Sequence, residues 1–151
     1  MTQLILLTHV FFGVGCVIAS VWVFVDTLNV TGANAPRIRC ASRAAAVFMW
    51  LSFLAGGFWY IRFYPTDKAL ILKGPWPFAH NFFMETKEHL VITLLLLATY
   101  LPIAAANNLA ENKDLRRLIL CISAAIALLA LVAEGEGGII AMGVKTGLLP
   151  H

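Results

Sequence analysis

Glu85-Thr-Lys-Glu88-His89 opens one strongly apolar stretch of this chain, and Glu134-Gly-Glu136 lies inside another. Four carboxylates and a histidine thus stand where a lipid environment would penalise them. An ionisable side chain at membrane depth costs about 2.5 to 3.5 kcal/mol on insertion scales, so such groups turn inward, pair and mark a site. His9, in a third apolar stretch, adds a second imidazole. Imidazole nitrogen with carboxylate oxygen is the donor set of a non-haem centre of iron, manganese, zinc or copper, and helix bundles build such centres from inward Glu and His side chains. The expected metal ligands are His9, Glu85, Glu88, His89 and Glu134. Glu136, Lys87 and Arg62 are expected to support them from behind, with His80 as a further candidate. No Glu-x-x-His occurs and the second apolar stretch offers neither carboxylate nor histidine. One ion, or an asymmetric pair, is therefore expected rather than a carboxylate-bridged pair.

Two other chemistries use the same groups. A b-type haem would take His9 and His89 as axial ligands, with Arg62, Lys68, Lys73 or Lys87 near its propionates and Gly13 and Gly15 leaving room for a macrocycle edge. Against it, those propionates would meet several carboxylates in a low dielectric. Without a cofactor, the glutamates and histidines would pass protons or bind a cation. A quinone pocket lined by Trp59, Tyr60, Tyr64 and His80 is also open, although aromatic residues near a membrane face commonly serve as interface anchors. A purely structural subunit is the remaining alternative.

The elements that must position these groups follow from composition. The 151 residues are 60% hydrophobic and 13% charged, and the mean hydropathy is +0.83. That is too apolar for an ordinary soluble domain. Four stretches are long enough to cross a bilayer as helices, at residues 4–26, 43–63, 82–106 and 115–144. An all-α, polytopic four-helix transmembrane bundle of up-down-up-down order is expected, as a single domain over residues 1–151. Residues 64–80 are expected at the membrane surface, because Tyr64-Pro65-Thr66-Asp67 breaks the helix and prolines flank Trp76. The first stretch is read as a crossing and not as a cleaved signal, since no Lys or Arg precedes it.

Alternating directions bring His9, residues 85–89 and the two late glutamates to one end of the bundle, in one layer. At about 100° per residue, Glu85, Glu88 and His89 fall within about 100° of arc and form one polar stripe. Glu134 and Glu136 are about 200° apart, so one of them is expected to point away from the bundle. Glu134 is taken as inward, because Gly137 and Gly138 share its face. The segment Leu7-Thr8-His9-Val10 with Gly13 and Gly15 resembles the first helix of small four-helix haem- or copper-associated membrane families. It covers residues 7–15 only, and no site residue is carried over.

The net charge of +3 does not indicate nucleic acid, because the basic residues cluster at helix ends. Arg37, Arg39 and Arg43 fill the first connection, and Lys113, Arg116 and Arg117 the third. By the positive-inside rule both face the cytoplasm, so the chain is expected N-out and C-out in a bacterial-type inner membrane. Cys16, Cys40 and Cys121 form no CxxC and are expected as buried small residues. Gly143 and Gly147, four apart, favour close helix contact. Beyond the lipid bilayer, the expected partners are other membrane subunits or further copies of the chain. The leading expectation is a metal-binding redox protein, a small subunit of a respiratory or electron-transfer complex, with its His/Glu site near the outer face.

Overall fold

The computed structural model describes residues 2–149. Helix α1 (Thr2–Leu28) leads to α2 (Ala35–Arg62), the short α3 (Tyr64–Lys73), a π-helical segment (Ala79–Met84) that runs straight into α4 (Glu85–Ala105), and α5 (Lys113–Gly147). Four segments are long and apolar enough to cross a membrane: Gln3–Leu28, Ala35–Arg62, Ala79–Ala105 and Lys113–Gly147. Large apolar side chains such as Phe11, Ile18, Leu54 and Leu96 point outward, as helices bathed in lipid require.

The four long helices form a square. α1 packs between α2 and α5, and α4 packs between the same two helices from the other side, while the diagonal pairs α1/α4 and α2/α5 make no close backbone contact. Buried residues at the centre of the square are often small, among them Ala19, Ala45, Ala98 and Ala130. Small residues let helix backbones approach where lipid supplies no hydrophobic drive for association. At the basic end, the Arg37 guanidinium donates to both oxygens of Asp26, at 3.0 and 2.8 Å, and fastens α2 to α1. Asn112 caps α5 by accepting from the Leu115 amide at 2.9 Å.

The connection 64–80 is partly helical. The break is a single residue, Phe63, and Pro65 stands in the first turn of α3, where its missing N–H costs no helical bond. A helix of ten residues therefore occupies the stretch read as a helix breaker. α3 docks on the end of α5 through glycines. A Cβ on Gly147 would lie 2.6 Å from the Leu70 carbonyl oxygen, and one on Gly143 would lie 2.7 Å from the Ala79 methyl. The Gly143/Gly147 pair thus serves packing within the chain. The cysteines also depart from expectation: Cys16 is buried, but Cys40 and Cys121 are exposed, and all three are free thiols.

Candidate functional site

Apolar residues on α4 follow steps of three and four along its inner face, through Leu101, Ala98, Leu94 and Val91. Continued toward the start of the helix, the same steps reach Lys87 and Met84. Met84 is buried and Lys87 is half-buried, whereas Glu85, Glu88 and His89 are exposed. On α5 the buried face runs through Ile126, Ala130, Ala133, Glu136, Ile140 and Gly143, and Glu136 is only 5% exposed. The ionisable residues that the helix geometry carries inward are therefore Lys87 and Glu136, both expected only as supports.

Glu134 does not point into lipid in exchange. α5 is flanked by α1 as well as by α4, so residues about 200° apart both meet protein. The Glu134 carboxylate rests on Gly13 of α1, so close that a methyl group there would overlap Oε1. Two further polar side chains use glycines in the same way. A Cβ on Gly56 would stand 2.6 Å from His9 Nδ1, and a Cβ on Gly137 would stand 2.8 Å from Lys87 Nζ. Three titratable groups from three helices are thus seated in glycine notches of their neighbours.

His9 is further held by Ser52. The Ser52 hydroxyl donates to the His9 carbonyl at 3.0 Å, and His9 Nδ1 lies 2.9 Å from the Ser52 carbonyl oxygen. The Ser52 hydroxyl oxygen also lies 2.9 Å from Nδ1, so both polar atoms of Ser52 meet the same ring nitrogen. Lys87 is near enough to Glu134 and Glu136 for their charges to act on it.

His9 and Lys87 border a cavity of about 580 Å³ lined by all four long helices. Its walls are Leu6 and His9 of α1, Phe53, Gly56, Gly57, Trp59 and Tyr60 of α2, Lys87, Glu88 and Val91 of α4, and Gly137, Ile140 and Val144 of α5. Gln3, Asp67 and Lys145 add polar groups to its lining. Across α2 and α4 the Tyr60 hydroxyl donates to Glu88 Oε1 at 2.6 Å, a short bond of the charge-assisted kind. Burial pushes the Asp67 carboxyl above the usual carboxylate range.

Beside the cavity lies a second polar pair. The buried Tyr64 hydroxyl and His80 Nδ1 share a hydrogen bond of 2.9 Å, and the Tyr60 ring stacks on Tyr64 with centroids 5.2 Å apart. Burial lifts the Tyr64 phenol above the ordinary tyrosine range. His80 belongs to the π-helical segment, a kind of local widening that is frequent at functional sites.

Among the expected ligands, His9 and Glu88 reach the cavity, and Glu134 lies against α1. His89 is exposed and bonds through Nδ1 to the Glu85 carbonyl of its own helix at 2.7 Å; neither His89 nor Glu85 lines the cavity. Arg62 is exposed at the end of α2. Gly15 abuts the Phe48 ring at 2.9 Å from its ideal Cβ, and Gly13 abuts Glu134, so protein side chains fill the room assigned to a macrocycle edge. Among the described residues no three His, Cys, Asp or Glu side chains gather as a metal-ligand set. Of the aromatic residues expected around a quinone, Trp59 and Tyr60 line the cavity, while Tyr64 and His80 form their own pair. Comparison with protein-family models, curated proteins and solved structures found no match.

Proposed function

We propose that this chain binds a lipid-phase amphiphile of the quinone class and serves as a ligand-binding subunit of a membrane redox assembly. The observation that carries the reading is the cavity. At about 580 Å³ it falls within the roughly 300 to 1,000 Å³ typical of small-molecule sites, and it shares their make-up of apolar walls with a few placed polar groups. Lys87 brings an ammonium with three donors and no acceptor, suited to a quinone carbonyl and to the negative charge that develops there on reduction. Phe53, Val91 and Ile140 give the ring an apolar bed. Electrons would come from another subunit. A metal centre of the expected composition would need His89 and Glu85 to turn from the exposed side of α4 into the cavity, so ligand binding is the better supported use of the site. With the basic clusters at the far end of the bundle, we place the cavity toward the outer face, with both chain ends outside, in a bacterial-type inner membrane.

Trp59 gives the test. In lipid nanodiscs, a short-chain benzoquinone should quench its fluorescence saturably, and Trp59→Phe should remove that component. Gly57 lines the cavity and has nothing within 4 Å of an added Cβ, so Gly57→Leu should fill the cavity without disturbing the fold and abolish the saturable quenching. Quenching that rises linearly with quinone and is unchanged by Gly57→Leu would defeat the reading.

A further inference from the structure

The buried face of α5 is apolar or small at every position but Ser123 and Glu136. Ser123 is satisfied by the Ile119 carbonyl at 2.7 Å. Glu136 is not: its Oε2 is buried without a hydrogen-bond partner. The residue stands at the seam of two apolar clusters, with Ala133 in one and Ile140 in the other. A buried ionised carboxylate without partners is among the costliest states a side chain can adopt, and neutralisation relieves it.

Local charge points the same way. Glu134 and Glu136 face a single lysine, Lys87, and the ion pairs among the described residues, Arg37–Asp26 and Arg117–Asp114, involve none of the three. The titratable groups around this part of α5 are Lys87 and Glu88 of α4, His9 of α1, Tyr60 of α2, Asp67 and Tyr64 of α3, His80 of the π-helical segment and Lys145 of α5 itself; Glu88 is bonded to Tyr60. His9 is bonded to Ser52 and His80 to Tyr64, and the charge that acts on Glu136 is that of Lys87. One ammonium faces two carboxylates and cannot cancel the charge of both, and the unpartnered Oε2 singles out Glu136. A hard cation such as calcium or magnesium would ask for about six or more oxygen ligands, which Ala133 and Ile140 do not supply. A proton asks for none.

We propose that Glu136 is a proton-binding site inside the bundle, loaded from the outer face through the cavity, which reaches Lys87 and the adjacent Gly137. It stands whether or not a quinone occupies that cavity. Dicyclohexylcarbodiimide, which partitions into lipid and reacts with protonated carboxyl groups, reports on it. The carboxylic O–H adds across one C=N bond, the proton passes to nitrogen, and the acyl group migrates from oxygen to nitrogen to leave a stable N-acylurea. Peptide mapping of the unsubstituted protein in nanodiscs should place the adduct on Glu136, with a yield that falls as pH rises. Glu136→Gln should lose it and Glu134→Gln should retain it; the mapping identifies the residue even if Glu136→Gln fails to assemble. An adduct on Glu134 instead, a yield independent of pH, or protection by sodium at fixed pH would overturn the proposal. So would the absence of an adduct together with no deuterium-sensitive carboxylic acid C=O band in the infrared.

Discussion

At Gly56 the absence of one methyl group decides where an imidazole can sit. The His9 ring is rigid and held by Ser52, so it cannot swing away from an added Cβ 2.6 Å from Nδ1. Gly56→Ala should cost about 1–3 kcal/mol, the range for overpacking, read as a lower midpoint of thermal unfolding by circular dichroism. Gly57→Ala, with open space beside it, should be neutral or stabilising by up to about 1 kcal/mol through helix propensity. Gly137→Ala meets only the flexible tip of Lys87 and should fall nearer Gly57 than Gly56. Tyr64 makes a different prediction. Because burial raises its pKa, the folded state holds the phenolic proton more tightly than the unfolded state. Its contribution is therefore complete below about pH 10 and is lost as pH climbs beyond that value. Tyr64→Phe should cost about 1–3 kcal/mol at neutral pH, where His80 loses its partner, and should flatten the alkaline decline of stability in a pH series of unfolding midpoints.

Among the elements, the four long helices were legible because an apolar run of about 20 residues has few alternatives in a bilayer. α3 was missed because Pro65 was read as a terminator; one position inside a helix start it is an initiator. Residue type also guided the choice of inward groups where periodicity would have shown which side chains are buried. The cluster at 85–89 drew attention to His89, but the stripe of Leu101, Ala98, Leu94 and Val91, stepped backward, selects Lys87. On α5, Ala130 and Ala133 stepped forward select Glu136, while the glycines at 137 and 138 argued for Glu134. Periodicity carried the signal, and chemistry-bearing residue types distracted from it. The seating of Glu134 on Gly13 was beyond reach, since it depends on which helix is neighbour to which. The stripe argument has a direct test. If Lys87 donates to a bound quinone carbonyl, Lys87→Met should weaken binding about tenfold or more, as loss of a charged hydrogen bond of about 1.5–3 kcal/mol implies. His89→Ala, on the exposed side, should leave the Trp59 quenching curve unchanged.

For the whole molecule, the two ends of the square of helices differ. The Arg37–Asp26 ion pair joins α1 to α2 at one end, and the cavity lies toward the other. The notches that seat His9, Lys87 and Glu134 also bear on how the chain is made. Helices enter the membrane in the order of synthesis, and α5 carries two carboxylates within its apolar run, each at a cost of about 2.5 to 3.5 kcal/mol. By the time it emerges, Gly13 of α1 and Lys87 of α4 are already in the bilayer to receive Glu134 and to face Glu136. The two carboxylates of α5 thus enter last among the five helices, when the neighbours that seat them can act as their solvent.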